Sequence, residues 1–353
     1  MTVASTAETL RVRPALAPRA ARRSDDAIAS GTRIGTWRTT GELGRGGMAS
    51  VHAAVQLDTA RHAAIKLAHR SALTDRYTAA TFLREARIIR EIHHPGVAEV
   101  YGSGRIDDRP YVVMELLDGV TLGTRIDAGP VMPRAEAIEI LLELCGVLRA
   151  AHQAGIVHRD VKLDNVFLCA RDHAPGQRVK LLDWGVAHVA GEPDPFRGLI
   201  AGTLTYVAPE QIRGDALTPA ADVYALAVLA YHLLCRRPPF AARSELALLH
   251  MHLHAPPPRA SAVWTQIPHG LDTLLHDMLA KQPADRPSLD AVEAVLRATL
   301  AAIAPARQPA EAAPRRPSHD VLGRPILPVP PLTAGWIAAA ISLAVLALLI
   351  SVL

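Results

Sequence analysis

Lysine is almost missing from these 353 residues: it occurs only at Lys66, Lys162, Lys180 and Lys281, against 34 arginines. A chain driven this far toward arginine keeps a lysine where a compact ammonium cannot be traded for a planar guanidinium, so each of the four marks a position to inspect. Cysteine is scarce as well. Cys145, Cys169 and Cys235 stand far apart in apolar stretches without metal-ligand spacing. That pattern excludes a disulfide framework and reads as buried thiols in a reducing compartment. No large excess of one charge exists either. The net charge is +4 and the basic residues are dispersed, which argues against nucleic acid as the main partner. Two local absences matter later: Val186 through Gly202 contains no Ser, Thr or Tyr, and residues 334–353 contain no charge.

What is present is apolar enough, at 50% hydrophobic residues, for one large catalytic domain with extensions or for two modest domains. Residues 1–36 are rich in Ala, Arg and Ser without apolar periodicity and read as a disordered leader. Glu8, Asp25 and Asp26 among its arginines count against a transit peptide. From Trp37 to Ala68, alternating segments are separated by glycine clusters and the turn Asp58-Thr59-Ala60-Arg61, which predicts an antiparallel sheet. Helical spacing of Phe82, Ala86 and Ile89 predicts a helix over Thr78–Ile92, and Tyr111–Leu116 reads as a buried strand. After Pro133 helices dominate, over Ala135–Ala154, Ala221–Cys235, Leu271–Leu279 and Leu289–Ala302. Strands first and helices later predict an α+β domain of two lobes over 37–302.

A Pro-, Ala- and Arg-rich linker follows over 303–333. The uncharged segment 334–353 matches the roughly 30 Å hydrocarbon core of a bilayer and is expected to form a single transmembrane helix. Trp336 lies at one end, and Arg315, Arg316 and Arg324 precede it, a positive flank that places the upstream domain in the cytoplasm. The expected topology is a C-terminal tail anchor without an exterior domain. Gly335, Ala339 and Ala340 permit close helix packing and hence a homodimer.

Three groups of residues carry chemistry. The run Leu43-Gly44-Arg45-Gly46-Gly47-Met48-Ala49-Ser50-Val51 lets a backbone pass close to phosphates and present N–H groups to them. The residues after it, Val51 to Gln56, read as a strand, so the run is a hairpin over a nucleotide and not the strand–loop–helix of a dinucleotide fold. Lys66, on the third strand, is within reach of phosphates held there. A lysine in an apolar strand calls for a partner, and Glu85 on the next helix supplies one. The strongest group is His158-Arg159-Asp160-Val161-Lys162-Leu163-Asp164-Asn165, followed by Asp183-Trp184-Gly185. It offers a carboxylate to take a hydroxyl proton, a lysine to balance charge on a moving phosphoryl group, and an Asn and an Asp to hold a metal.

Together these motifs closely resemble the eukaryotic-type (Hanks-type) protein kinase domain of bacterial serine/threonine kinases. The resemblance implies a sheet-rich small lobe, a helical large lobe and ATP between them, with Mg²⁺ or Mn²⁺ as cofactor and protein Ser/Thr hydroxyls as substrate. It implies that Lys66 contacts the phosphates beside Glu85, that Asp160 is the base, that Lys162 contacts the γ-phosphate, and that Asn165 and Asp183 ligate the metal. Val51, Ala64 and Phe167 would enclose the adenine, with Met114, Glu115, Leu116 and Leu117 as the hinge. Gly202 to Glu210 resembles the substrate-docking end of the activation segment, with Thr203 expected to orient Asp160. Glu210 is expected to pair with Arg286, and Asp222 to brace the catalytic loop. Lys162, two residues after the base, is the family's mark of Ser/Thr specificity. With the uncharged tail, the expected location is the cell inner membrane, single-pass, with the kinase domain cytoplasmic.

Departures from the pattern are few. Trp184 replaces the usual Phe and Ala49 the third glycine. The informative one is the missing hydroxyl between Val186 and Gly202, where the family usually phosphorylates a residue that pairs with the arginine before the base, here Arg159. Only Glu192 and Asp194 offer carboxylates in that stretch. The expectation is that one of them, or nothing, serves Arg159, making activity less dependent on loop autophosphorylation, with Thr203 and Thr205 left as the other sites for it. A pseudokinase scaffold is the main alternative, but it usually lacks the base, the metal Asp or the strand Lys, and all three are present. A small-molecule phosphotransferase would lack Ala208-Pro209-Glu210 and its Arg286 partner.

Overall fold

The computed structural model of the chain describes residues 28–46, 48–70, 73, 76–170, 177–196 and 203–303, with 76–81 as backbone only. All of these belong to the first of two units, Met1–Ala304 and Pro305–Leu353. The expected transmembrane helix over 334–353, the linker from 304 onward, most of the expected leader and Gly47 lie outside the described residues. Among the described residues no helix is long and apolar enough to cross a membrane.

The small lobe is a six-stranded antiparallel sheet, ordered β1-β2-β3-β4-β6-β5. Its strands are β1 (Arg33–Ile34), β2 (Trp37–Arg45), β3 (Ala49–Gln56), β4 (His62–Ala68), β5 (Val100–Ile106) and β6 (Arg109–Met114), with helix α1 (Arg76–Glu91) between β4 and β5. Residues 28–36 therefore depart from the disordered leader expected there. Ile34 is fully buried with Trp37, Ala54, Ala63, Ile65 and Val113, and Ile28 packs against that cluster. Two residues of strand are too short for a period-2 signal, so the pairing of β1 with β2 was invisible in the sequence.

Both faces of this sheet are covered. The second carries Ala49, Ala68 and Val112, packed against Phe82 and Ala86 of α1. Alternation along β3 and β4 puts Lys66 on this second face, because strand neighbours point to opposite sides. The strand expected over Tyr111–Leu116 runs instead over Arg109–Met114. The apolar run continues, but the Glu115 N–H donates to the Glu99 carbonyl at 2.8 Å and leaves the β4 ladder.

The large lobe is mostly helical. It contains α2 (Leu122–Ala128), α3 (Arg134–Gln153), α4 (Pro209–Arg213), α5 (Ala220–Cys235), α6 (Glu245–His254), α7 (His269–Met278) and α8 (Leu289–Ile303). Helix α5 is apolar around its whole circumference and nearly every residue of it is buried, as befits a helix surrounded by others. Its neighbours in the main core include Ile138, Leu141 and Leu144 of α3 and Leu271 and Leu275 of α7. Cys145, Cys169 and Cys235 are buried and free, as the sequence implied. Two small sheets flank the segments that carry Asp160 and Asp183. One orders β10 (Val179–Leu181), β9 (Val166–Cys169) and β7 (Gly119–Thr121); the other pairs β11 (His188–Val189) with β8 (Ile156–Val157). Gly119 lets β7 lie close on β9: at φ +150° a Cβ would stand 2.0 Å from the Leu168 carbonyl oxygen.

Candidate active site

The glycine-rich run forms the β2–β3 hairpin, with register irregularities between Thr39 and Gly41 and between Glu42 and Gly44. The Gly46 N–H donates to the Ala49 carbonyl at 2.8 Å and closes its tip. At Gly44 nothing lies within 4 Å of where a Cβ would stand. The protein's own packing does not demand that glycine, so the space beside it is open to a ligand. Leu43 and Met48 are exposed, Arg45 pairs with Glu42 at 2.6 Å, and Ser50 is buried with its hydroxyl 2.9 Å from His52 Nε2. Val51 pairs with Lys66, and Ala53 with Ala64, across the β3–β4 ladder. Val51, Ala64 and Lys66 consequently share one face.

On that face Lys66 Nζ donates to both Glu85 oxygens, at 2.9 and 2.7 Å, and lies 3.5 Å from Asp183 Oδ1. Burial works against the ammonium, but Glu85 and Asp183 outweigh it and hold Lys66 protonated above the ordinary lysine range. Lys66 in turn is the largest influence holding the Asp183 carboxyl below its usual range. Asp183 is half exposed and adopts a left-handed backbone at φ +62°, which costs free energy for a residue other than glycine. Trp184 fills the space behind it. Its indole N–H donates to the Leu181 carbonyl at 3.1 Å, and its ring meets His158 edge-on at 4.5 Å.

The segment from His158 to Asn165 wraps around the Asp160 carboxylate. Lys162 Nζ donates to Oδ2 at 2.6 Å, Asn165 Nδ2 donates to Oδ2 at 3.0 Å and to the Asp160 carbonyl at 2.8 Å, and the Thr203 N–H donates to Oδ1 at 3.2 Å. Thr203 thus reaches Asp160 through its backbone. Asn165 turns its amide nitrogen to Asp160, which leaves its carbonyl oxygen as the group able to ligate a cation. His158, for which sequence reasoning had no role, ties this loop together. The Asp160 N–H donates to its Nδ1 at 3.2 Å, and Nε2 lies 3.0 Å from the Leu182 carbonyl. Those partners select the tautomer with its hydrogen on Nε2.

Arg159 holds a left-handed backbone at φ +73°. Asp222, fully buried at the start of α5, accepts the N–H of His158 and of Arg159, each at 2.8 Å, and lies 2.8 Å from His152 Nε2. Burial alone would raise the Asp222 carboxyl. His152 and the backbone donors overcome it and hold the group below its ordinary value. The Arg159 guanidinium forks onto both oxygens of Asp194. Glu192 goes elsewhere, to Arg87 Nη2 at 2.7 Å and near Arg84. At the end of the segment, Arg286 meets Glu210 with both side chains buried.

The remaining predicted residues form a second group near the hinge. Phe167 of β9 pairs with Thr121 of β7 and Lys180 of β10. The Glu115 side chain is taken up by Lys180, whose Nζ donates to its Oε2 at 2.6 Å; any adenine contact from Glu115 therefore falls to its backbone. Leu117 is half-buried in the irregular stretch before β7. Lys180 is the third of the chain's lysines to be accounted for, bound in addition to the Val97 carbonyl.

Residues 37–297 match the model of the protein kinase domain. Serine/threonine-protein kinase Pkn1 of Myxococcus xanthus is 38% identical over 279 residues, 77% of this chain and 39% of its own length. Serine/threonine-protein kinase PknB of Mycobacterium tuberculosis is 34% identical over 252 residues, 69% of this chain and 39% of its own length. The chain thus spans about two fifths of these relatives. A crystal structure of the PknI kinase domain of Mycobacterium tuberculosis, in mutant form, superposes with a TM-score of 0.59 at 28% identity, covering 77% of this chain and 99% of that one. The chain belongs to the protein kinase domain family and is similar throughout that domain to bacterial serine/threonine kinases.

Proposed function

We propose that this chain transfers the γ-phosphoryl group of ATP to Ser and Thr hydroxyls of proteins, from a position tethered to the inner membrane by residues 334–353. One observation carries the catalytic reading: the Asp160 carboxylate, gripped by Lys162, Asn165 and the Thr203 N–H, lies on the loop that packs beside Asp183 and its partner Lys66. A protein hydroxyl gives its proton to Asp160 while its oxygen bonds to the γ-phosphorus. The bond from that phosphorus to the β–γ bridging oxygen breaks, and ADP carries away the electron pair. Lys162, beside the base, neutralises charge on the transferring group, and Lys66 steadies the α- and β-phosphates under the hairpin.

The donor set also suits a hard cation. Among the described residues no three His, Cys, Asp or Glu converge, which argues against a metal caged by protein alone. The Asp183 carboxylate and the Asn165 carbonyl are oxygen donors of the kind Mg²⁺ or Mn²⁺ takes, with the remaining positions left to water and phosphate oxygens. Such an ion would supply neutralisation of phosphate charge. The adenine would lie between Val51 and Ala64 above and Phe167 below.

Transfer of radiolabel from [γ-³²P]ATP to a generic protein acceptor, followed by phosphoamino-acid analysis, tests the reading. Phosphoserine and phosphothreonine should form with the wild type and be lost in Asp160→Asn. Binding of ATP without transfer by the wild type would instead mark a scaffold. Flotation of the full chain with lipid vesicles, against a chain ending at residue 333, tests the tether: loss of flotation on truncation is expected, and equal behaviour of the two would refute it.

A further inference from the structure

Arg159 presents an electrostatic problem that the chain must solve. Its guanidinium is 4% exposed, next in sequence to Asp160, and a buried cation without a counter-charge is costly. Asp194 solves it. Both Asp194 oxygens accept from Arg159, and Oδ1 also accepts the Phe196 N–H at 2.9 Å. Burial works to raise this carboxyl, but Arg159 and the Phe196 N–H prevail and keep it ionised below the usual carboxylate range.

Glu192 makes a separate attachment two residues earlier. Arg87 Nη2 donates to it at 2.7 Å, and Arg84 Nη2 lies 3.6 Å away. Arg84 also donates through Nη1 to the Ala187 carbonyl at 2.6 Å. Both arginines belong to α1, and Arg84 directly precedes Glu85, the partner of Lys66. The segment after Asp183 is therefore fastened at two points by two carboxylates, one to the loop of Asp160 and one to the helix of Glu85. Pairing of β11 with β8, His188 to Val157 and Val189 to Ile156, holds the segment flat between them.

The cluster is not overfilled with negative charge. Arg84, Arg87 and Arg159 face Glu192 and Asp194, while His188 is pushed toward its neutral form by burial and by Arg159. Arg84 Nη2, Arg159 Nε and His188 Nδ1 are buried without a hydrogen-bond partner. Neutralising either carboxylate would leave three guanidinium groups facing a single counter-charge.

We propose that Asp194 and Glu192 are positioning residues with divided work. Asp194 holds Arg159, and through it the Asp160 loop, in the reactive arrangement, while Glu192 holds α1 so that Glu85 meets Lys66. Because the counter-charge is carried by the chain itself, and Val186 through Gly202 has no hydroxyl, the arrangement forms without phosphorylation of that stretch. This inference rests on the kinase reading above, so its test presupposes a wild type that transfers phosphate and an Asp160→Asn that does not.

The test is steady-state kinetics of the full chain after exhaustive phosphatase treatment, with thermal melts of every variant. The treated wild type should keep its rate within twofold. Asp194→Asn should lower kcat at least tenfold with KM for ATP within twofold of wild type, and Asp194→Glu, which retains the charge, should recover most of the loss. Glu192→Gln, at a more exposed carboxylate, should instead raise KM for ATP severalfold. A wild type that loses more than tenfold on dephosphorylation overturns the proposal, as does an Asp194→Asn of undiminished kcat. If Asp194→Asn fails to fold, the treated wild type and Asp194→Glu decide: retained activity in both supports the assignment, and loss in either contradicts it. A Glu192→Gln with unchanged KM and kcat removes the second attachment from the account.

Discussion

Arg286 and Glu210 meet in a parallel fork, Nη1 to Oε1 at 2.6 Å and Nη2 to Oε2 at 2.8 Å, with both side chains at most 1% exposed. Arg286 also donates to the Ala220 carbonyl at 2.8 Å and the Ala280 carbonyl at 2.9 Å. One guanidinium thus joins α4, the start of α5 and the turn after α7. Glu210→Gln strands that buried cation, and the expected loss is about 3–5 kcal/mol of unfolding free energy. Urea unfolding monitored by tryptophan fluorescence reads it; a loss below about 1 kcal/mol would show that the pair is dispensable. Arg286→Lys should rescue little, because an ammonium cannot make the fork.

Asp222 couples the same helix to catalysis. Its two oxygens accept the N–H groups of His158 and Arg159 and so hold Arg159 at its left-handed φ. Asp222→Ala should leave both donors unsatisfied at a cost on the order of 3 kcal/mol, and should lower kcat more than any stability-matched substitution elsewhere in α5. Equal kcat values in such a pair of variants would confine Asp222 to a structural part.

His252 should contribute measurably to the acid limb of the stability profile. It is fully buried, 2.8 Å from the Tyr224 hydroxyl, and burial, reinforced by Lys281, depresses its pKa to about 4. The unfolded chain takes up this proton near pH 6.5, so the unfolded state binds more protons between these values. Its contribution is complete above about pH 6.5 and is lost as the pH falls toward 4, by up to roughly 3 kcal/mol. His252→Gln should flatten chemical-denaturation stability over that window; an unchanged slope would reassign the acid sensitivity to other groups.

The thiols should be silent in the folded protein. Burial pushes Cys145 up to about 12 and Cys169 and Cys235 up to about 11, and the thiolate is the reactive form. Labelling with a chromogenic disulfide at pH 8 should be slow natively and reach all three cysteines in denaturant. Fast native labelling would mean that one of these sites opens readily.

Much of the site was legible because its residues bring a cost that only function or pairing explains. A lysine on an apolar strand demanded Glu85, and the scarcity of lysine flagged Lys66 and Lys162, together with Lys180 and Lys281, before any geometry. Glu210 and Arg286 were paired from their motifs although they lie far apart in sequence. Other features carried no such mark. Glu192 and Asp194 are two residues apart and of the same charge, so only the three-dimensional path of the segment tells which one faces Arg159. His158 acts through both ring nitrogens toward backbone atoms, contacts to which a sequence gives no clue. The short elements β1, α2, β7, β8 and β11 are stabilised by what they pack on, and hydropathy carried Tyr111–Leu116 past the point where Glu115 turns to Glu99.

Asp160 is expected to accept the hydroxyl proton while neighbouring groups bind ATP independently of it. Parallel determination of kcat and KM for ATP with the wild type and Asp160→Asn tests it most directly. The geometry predicts a fall in kcat of about 10²–10⁴-fold, the usual worth of a general base, with KM for ATP changed no more than a few-fold. Equal kcat values, or a wild type that binds ATP and transfers nothing, would contradict it.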